Sequence, residues 1–269
     1  MAHGNTVGIA VAQFAPTDDA DGNVRRIAEF SRTAAERGAS VVLAPEYASF
    51  FVNPMDERLA ENAQPLDGPF TRALAELSRE NSVTIVAGLV ESAAGSRVRN
   101  TAVAVDHTGV VAAYRKQHLY DAFGQTESRW IEPGELGAPQ TFDVAGLRFG
   151  LMTCYDLRFP ELSRVIVDAG ADVILVPAEW VRGPLKEHHW RTLVTARAIE
   201  NTVYVAAADH SPPIGVGNSL IVDPSGTAVA GVGTEDALAI AWASRARLDE
   251  TRTINPALAL RRYRVEPRT

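Results

Sequence analysis

Residues 148–164 read RFGLMTCYDLRFPELSR, and the predicted fold depends on this segment. Within it, the pattern of apolar residues changes from that of a β-strand to that of an α-helix. The segment 148–154, RFGLMTC, is an apolar run typical of a buried β-strand. The residues after it can turn into a helix, with Pro160 and Glu161 in its first turn. Cys154 therefore lies at a tight connection between a strand and a helix.

Strands and helices alternate on both sides of this connection. Apolar residues at helical spacing predict four helices, over residues 20–37, 70–80, 160–169 and 187–201. Short β-rich runs predict ten strands, over residues 6–14, 40–46, 82–91, 101–106, 110–116, 148–154, 172–178, 203–209, 219–224 and 237–243. This order, with hairpin-like pairs at 82–116 and 219–243, favours an α/β or α+β layered sandwich. We predict one domain over residues 1–269, in which 255–269 form a C-terminal arm or tail.

Composition excludes several classes of protein. The 269 residues are 46% hydrophobic, which is enough for a sizeable core. The net charge is −7 and the basic residues are scattered, so nucleic acid is not an expected partner. No segment has the unbroken apolar run of a membrane span, and the start of the chain does not look like a signal peptide. We expect a cytoplasmic protein with no membrane partner.

Cys154 is the only cysteine, which excludes an internal disulfide and a multi-cysteine metal site. A thiol at a turn before a helix meets backbone N–H groups and the positive end of the helix dipole, which lower its pKa. The alternative is a buried cysteine that acts as a small hydrophobe, and one residue alone favours this alternative. A reactive Cys154 therefore requires partners.

Two charged residues stand where apolar strands end. Glu46 follows SVVLAP, and desolvation there would raise its pKa toward that of a general base. Lys116 follows VVAAYR, beside the irregular stretch 117–147, which is a candidate wall of an active site. The alternatives are an ordinary loop glutamate and a solvent-facing lysine. None of the six histidines has a spacing that singles it out as the base.

Three segments resemble the signature segments of the nitrilase superfamily, in the family's order. They are APEYASF around Glu46, YRKQHLYD around Lys116 and GLMTCYDLRFPEL around Cys154. Their separations, 70 residues (116 − 46) and 38 residues (154 − 116), also resemble the family. In GQTES, Glu127 resembles the family's second, non-triad glutamate. The later segments HWRTLVTARAIEN and GNSLIVDPSG resemble its usual late core.

The resemblance implies a fold and a reaction. The fold is a four-layer α-β-β-α sandwich that pairs through helices, here 160–169 and 187–201, into a homodimer. In the implied reaction Glu46 takes the thiol proton, Cys154 attacks an amide carbonyl, and Lys116 with the N–H of Tyr155 stabilises the oxyanion. Water, positioned partly by Glu127, then hydrolyses the thioester. No metal or organic cofactor is required.

The substrate implied by the resemblance is a small non-peptide amide that yields a carboxylic acid and ammonia. The CYDLRFPEL form resembles the omega-amidase and deaminated-glutathione-amidase branches. Candidate substrate-binding residues flank the site residues or follow a neighbouring strand, and they are Tyr47, Tyr155, Arg158, Glu179 and Trp180. A substrate carboxylate would need a cation, for which the candidates are Arg129, Arg158 and Arg182. A buried ion pair between Asp156 and Arg158 is an equally good interpretation of those two residues.

The sequence allows four other interpretations besides amide hydrolysis. Hydrolysis of a nitrile or of an N-carbamoyl compound would use the same cysteine, lysine and glutamates. A catalytically idle binding or assembly module is disfavoured because all four residues are present. A metal site at His188 and His189, beside Glu187, is disfavoured because adjacent helical residues face different ways.

Overall fold

The computed structural model describes residues 6–268 and contains two six-stranded β-sheets. The strands of the first sheet are β1 (Thr6–Gln13), β2 (Val41–Leu43), β3 (Thr84–Glu91), β4 (Arg99–Asp106), β5 (Gly109–Arg115) and β12 (Ala237–Ser244). Those of the second are β6 (Thr141–Val144), β7 (Leu147–Leu151), β8 (Val173–Pro177), β9 (Tyr204–Ala208), β10 (Leu220–Val222) and β11 (Ala228–Gly231). The strand orders are β12-β1-β2-β3-β4-β5 and β11-β10-β9-β8-β7-β6.

Within residues 6–268, six α-helices accompany the sheets. They are α1 (Ala20–Glu36), α2 (Arg58–Glu61), α3 (Pro69–Asn81), α4 (Pro160–Asp168), α5 (Lys186–Asn201) and α6 (Arg245–Ile254). The helices predicted over 20–37, 70–80, 160–169 and 187–201 correspond to α1, α3, α4 and α5. Helix α6 was not predicted because only Leu248 and Thr251 are buried along it, which leaves no apolar period to detect.

The side chains of β1 show how the layers are arranged. Val7, Ile9 and Val11 pack in the core between the two sheets, whereas Ala10 and Ala12 face the helices on the opposite side. Helices α1 and α3 cover the outer face of the first sheet, and α4 and α5 cover that of the second. The four-layer α-β-β-α sandwich is therefore confirmed.

The hairpin predicted over 219–243 is only half correct. Strands β10 and β11 form an antiparallel hairpin, but β12 leaves that sheet and pairs with β1. The register joins Ile9 to Ala241 and Val11 to Ala239. Strand β12 thus connects the two sheets, and sequence proximity did not indicate its partner. The hairpin-like pairing predicted over 82–116 is confirmed, since β3, β4 and β5 are antiparallel neighbours.

Two predicted strands end earlier than expected, and both endings shape the site. Strand β2 ends at Leu43, so Glu46 lies in a turn beyond it and not at the strand terminus. Strand β7 ends at Leu151, and Cys154 begins a short 3-10 helix, Cys154–Arg158, that precedes α4. Tyr47 and Cys154 both have left-handed backbones, with φ of 55° and 46°. Such conformations are costly and persist only where surrounding contacts hold them.

Residues 255–268, where the sequence predicts an arm or tail, follow α6 without a further helix or strand. Arg261 anchors this arm by an ion pair with Asp168 at the end of α4, whereas Tyr263 is exposed. Residues 1–5 and 269 of the predicted 1–269 domain lie outside the described residues. No helix in the described part of the chain is long and apolar enough to cross a bilayer.

Gly88 in β3 allows the backbone of the Glu46 turn to lie directly against the first sheet. Its N–H donates to the Pro45 carbonyl at 3.0 Å, and its carbonyl accepts from the Ser49 N–H at 2.9 Å. A Cβ atom at this position would lie 2.2 Å from the Tyr47 nitrogen and 2.7 Å from the Glu46 Cα. A side chain here must push the Glu46 turn away from the sheet.

We expect Gly88→Ala to lower the free energy of unfolding by about 2 kcal/mol, because its methyl group overpacks a backbone contact. Urea unfolding followed by circular dichroism measures the change. Gly95→Ala is the matched control, since a Cβ there meets no atom within 4 Å. Equal stability of the two variants would contradict the close approach of β3 to the turn.

Candidate active site

Lys116 lies between two buried carboxylates. It directly follows β5, and its side chain is 2% exposed. Its Nζ lies 2.9 Å from Glu46 Oε1 and 2.9 Å from Glu127 Oε2. The three residues come from the turn after β2, the end of β5 and a 3-10 turn, Glu127–Arg129. The solvent-facing lysine and the ordinary loop glutamate are thereby excluded as descriptions of Lys116 and Glu46.

Asn100 in β4 links the two carboxylates, and sequence reasoning missed it. Its Nδ2 donates to Glu46 Oε1 at 2.6 Å and to Glu127 Oε1 at 3.1 Å, which uses both hydrogens of the amide. The sequence offered one sign of this role, since Asn100 is a polar residue inside a mostly apolar strand. Asn100 fixes the separation of the two glutamates from the inner face of the sheet.

The two glutamates differ in their hydrogen bonds and in the direction of their pKa shifts. Burial alone would raise the pKa of Glu127, but the charge of Lys116 and donation from Tyr47 and the Tyr120 N–H lower it. Burial raises the pKa of Glu46, and the negative charge of Glu127 raises it further. Glu127 is therefore the lasting counter-ion of Lys116, and Glu46 is the carboxylate readier to take up a proton.

The main chain of Glu179, which follows β8, bridges Glu46 and Cys154. Its N–H donates to Glu46 Oε2 at 2.5 Å, and its carbonyl accepts a hydrogen bond from Cys154 Sγ at 3.3 Å. The peptide after it is fixed in turn, because the Trp180 N–H donates to buried Asp209 at 2.6 Å. His210 donates from Nε2 to the Glu46 carbonyl at 2.7 Å. The nucleophile candidate and the base candidate are thus held by one segment of backbone.

Cys154 is 5% exposed, and burial raises the pKa of its thiol well above the ordinary value, with Glu46 adding to the rise. The expectation of a pKa lowered by a helix dipole is therefore wrong. The physical reason is that α4 begins only at Pro160, and the intervening 3-10 turn has no long dipole to offer. The raised pKa and the hydrogen bond from Cys154 Sγ to the Glu179 carbonyl both favour the neutral thiol.

Two openings meet at Cys154. The larger is a cavity of about 490 Å³, whose lining includes Lys116, Glu127, Cys154, Glu179, Tyr47, Tyr120, Arg129 and Arg182. Several of these residues come from the segment 117–147, as predicted for a wall of the site. The smaller is a pocket of about 10 Å³ that shares Cys154, Tyr120, Glu179 and Val181 with the cavity. Its other lining residues are Tyr155, Trp180 and Lys186.

The candidate substrate-binding residues divide between these openings. Tyr47 lines the cavity, and its hydroxyl donates to Glu127 at 2.6 Å. Glu179 lines both openings, whereas Tyr155 and the buried Trp180 line only the small pocket. Arg158 lines neither, and its guanidinium lies over aromatic rings. Arg129 and Arg182 are exposed and lie at the cavity.

The ion pair proposed between Asp156 and Arg158 is wrong. Asp156 instead accepts from the Tyr114 hydroxyl at 2.8 Å and from the Thr153 N–H at 2.9 Å, and it meets His118 Nδ1 at 2.7 Å. These contacts fasten the turn that carries Cys154 to the end of β5. Among residues 6–268, no three histidine, cysteine or acidic side chains are grouped as metal ligands.

Comparison with known proteins gives three findings. The family model described as carbon-nitrogen hydrolase matches residues 8–253. A deaminated glutathione amidase of Escherichia coli O157:H7 is 39% identical over 256 residues, covering 95% of this chain and 97% of that protein. A human omega-amidase is 31% identical over 275 residues, covering 96% of this chain and 97% of that protein.

A solved structure resembles the whole chain as well. It is a mutant of the amidase from Nesterenkonia sp. AN1, which shows covalent addition of the acetamide moiety of fluoroacetamide at the active site cysteine. Its TM-score is 0.82 at 27% identity, and the match covers 97% of this chain and 96% of that one. The likeness therefore extends over both sheets and their helices.

We expect Glu127→Gln to lower the free energy of unfolding by about 3 kcal/mol, because it removes one partner of a buried cation. Activity should fall by about 100-fold, since Lys116 and Glu46 lose their relative placement. Urea unfolding and ammonia release measure the two effects. Glu135→Gln, which changes an exposed glutamate nearby, is the control. A Glu127→Gln protein with wild-type activity would contradict the assignment of Glu127 as the lasting counter-ion.

Proposed function

The chain belongs to the carbon-nitrogen hydrolase family, and we propose that it hydrolyses small non-peptide amides through a thioester on Cys154. The observation that carries the proposal is the placement of Lys116 between Glu46 and Glu127 at the cavity that also exposes Cys154. The amidase names of the relatives and the cysteine adduct of the solved neighbour support it.

The first half of the proposed reaction forms the thioester. Glu46 accepts the thiol proton while Cys154 Sγ bonds to the amide carbonyl carbon, and the carbonyl π electrons move to its oxygen. Two of the three Lys116 donors are directed to Glu46 and Glu127, so one remains for this oxyanion. When the intermediate collapses, the C–N bond breaks and Glu46 returns the proton to the leaving nitrogen.

The second half repeats the same steps with water. Glu46 removes a proton from water as its oxygen bonds to the thioester carbon, and Lys116 again stabilises the oxyanion. The C–S bond then breaks, and the sulfur takes the proton from Glu46. Glu127 does not exchange protons in this scheme. It keeps Lys116 charged and, as proposed from the resemblance, helps to position the water, while the Tyr155 N–H is a second proposed oxyanion donor.

The cavity bears on the size of the substrate. A volume of about 490 Å³ lies within the range of sites for drug-sized molecules, well above the needs of a simple aliphatic amide. Arg129 and Arg182 at its wall supply positive charge for an acidic group on the part of the substrate placed there. We therefore propose amides whose leaving amine can be as large as a dipeptide, as well as simple primary amides.

We propose a homodimer, supported by Ile199 on the exposed side of α5, which is 46% exposed. Most apolar residues of α4 instead pack on this chain's own sheet, including Leu162, Ile166 and Val167. Sedimentation velocity would return a monomer if the dimer is wrong.

A cytoplasmic location is proposed because the reaction needs a reduced thiol.

Cys154→Ala should fold normally and release no ammonia, because the nucleophile is lost while only one buried sulfur is removed. A coupled ammonia assay over short omega-amides, deaminated glutathione, N-carbamoyl amino acids and nitriles measures this, together with the substrate class. Since deaminated glutathione releases an amine other than ammonia, its cleavage is followed by free amine. Turnover that persists in the variant would refute the mechanism. Turnover of nitriles alone would favour the nitrilase alternative, and no turnover of any member would favour a binding module.

The pH profile of kcat/KM for an uncharged amide should fall on the acid side with a midpoint above 4.5, the ordinary pKa of a glutamate. Glu46 must be ionised to act, and its pKa is raised, so protonation disables it at a higher pH than usual. On the alkaline side no decline should occur below pH 9.0, the ordinary pKa of a cysteine, because burial raises the pKa of Cys154 well above that value. The pKa of Lys116 is also raised well above its ordinary 10.5, so the lysine stays charged over this range. Circular dichroism at each pH verifies folding. An acid midpoint at or below 4.5 would contradict the role of Glu46.

A further inference from the structure

The peptide unit between Glu179 and Trp180 meets the nucleophile at one end and a buried carboxyl group at the other. Its carbonyl, which belongs to Glu179, accepts from Cys154 Sγ at 3.3 Å. Its N–H, which belongs to Trp180, donates to Asp209 Oδ1 at 2.6 Å. This peptide is trans, so its carbonyl and its N–H point in opposite directions within one rigid plane. The group that orients the N–H therefore also orients the carbonyl beside the thiol.

The topology of the second sheet brings Asp209 to this peptide. Strands β8 and β9 are parallel neighbours, and their register ends with Pro177 opposite Ala208. Beyond this pair, the Ala178 N–H still donates to the Ala208 carbonyl at 2.8 Å. Farther on, no strand partner remains for the N–H of the buried Trp180. Asp209 directly follows β9, and its side chain accepts from this N–H, which satisfies a buried donor.

Asp209 is itself held by a chain of buried hydrogen bonds that begins in the first sheet. Gln13 Nε2, at the end of β1, donates to the carbonyls of Gly233 and Glu235 at 2.9 Å and 2.8 Å. Gln13 Oε1 accepts from the N–H and the hydroxyl of Ser219 at 2.9 Å and 2.8 Å. The Asp209 N–H then donates to Ser219 Oγ at 2.9 Å. Contacts from both sheets thus fix the position of the Asp209 carboxyl group.

Burial of the Asp209 carboxyl group costs stability. The residue is fully buried, and within residues 6–268 its Oδ2 has no hydrogen-bond partner. Burial also raises the pKa of the carboxyl group well above its ordinary value. A buried polar atom without a partner is destabilising, so stability alone does not account for this residue. Asp209 lines neither the cavity nor the small pocket, so it does not contact a substrate there.

We infer that Asp209 is a positioning residue that acts on Cys154 and Glu46 through the backbone. Its Oδ1 fixes the peptide after Glu179, whose carbonyl accepts from the thiol. The Glu179 N–H, one bond earlier in the chain, donates to Glu46 Oε2 at 2.5 Å. If this segment rotated, the thiol would lose its acceptor and the base would lose a donor, and proton transfer between them would slow. This inference rests on the proposed function, in which Glu46 takes the thiol proton.

Two variants separate the position of the acceptor from the charge of the carboxylate. Asp209→Asn keeps an oxygen at the same place and removes the charge, whereas Asp209→Glu keeps the charge and moves the oxygen by one methylene. With butyramide as substrate, Asp209→Asn should keep most of the wild-type kcat, and Asp209→Glu should lose at least about tenfold. KM should change little in both, because Asp209 lines neither opening. A kcat in Asp209→Glu equal to or above that in Asp209→Asn would overturn the inference.

Asp172→Ala is the matched control for the loss of a buried carboxylate. Asp172 is 3% exposed and precedes β8, at the end of the strand opposite to Trp180, and it pairs with Arg245 and Arg252. This variant should be less stable in thermal melting but should keep the wild-type kcat at a temperature where it is folded. A loss of kcat equal to that of Asp209→Glu would overturn the inference, because the effect would then be a general one of stability.

Alkylation of the thiol by iodoacetamide gives a readout that does not depend on turnover. The rate constant for Cys154 is measured against pH in folded protein. In Asp209→Ala the midpoint should fall by about half a pH unit or more, because the hydrogen bond to the Glu179 carbonyl favours the neutral thiol. In Asp209→Asn it should stay near that of the wild type. An unchanged midpoint in Asp209→Ala would overturn the inference.

The two readouts keep the inference and the proposed function apart. If the wild-type chain hydrolysed no amide, the proposed function would fail, and the alkylation midpoints would still decide whether Asp209 controls the thiol. Asp209→Asn preserves the size of the side chain, so it tests the inference even if the other variants do not fold. A kcat in Asp209→Asn reduced about tenfold or more, in folded protein, would overturn the positioning role.

Discussion

The ammonium of Lys116, held between Glu46 and Glu127, is the interaction on which the rest of the site depends. Three ionisable groups from three distant segments are taken out of water together, and burial of this kind gives little or no net stability. The two sheets and their apolar core must therefore supply the stability that keeps these groups in contact. The need to bring these three groups together explains the close contact between β3 and the Glu46 turn, where Gly88 lies beneath the turn.

Glu46 and Glu127 differ in their hydrogen bonds and in the direction of their pKa shifts. This difference indicates a separate role for each carboxylate. Glu127 accepts from Tyr47, Asn100, Lys116 and the Tyr120 N–H, so its charge is satisfied and lasting. Glu46 carries the excess negative charge of the trio, and its raised pKa suits proton transfer. Burial raises the pKa of the Cys154 thiol, so the proposed reaction requires Glu46 to accept its proton. In the proposed mechanism the thiolate forms during attack and is not a stable resting species.

Much of this could be predicted from the sequence, because strand and helix periods are local signals and the charged strand ends stand out against apolar runs. Asn100 was missed because one amide within a strand does not reveal that two glutamates meet there. The partner of Asp156 was wrong because the prediction used sequence proximity, whereas His118 and Tyr114 reach it across the fold. Long-range pairing is a property of the folded chain.

The most direct test of the central claim is to trap the acyl group during turnover. An activated aryl ester of a short acyl group, mixed rapidly with the protein and quenched in acid, should give a burst of phenol equal to the enzyme concentration. Peptide mass spectrometry should then locate one acyl group on the peptide that carries Cys154. An acyl group on any other residue, or a full burst from protein whose Cys154 has first been alkylated, would contradict the account.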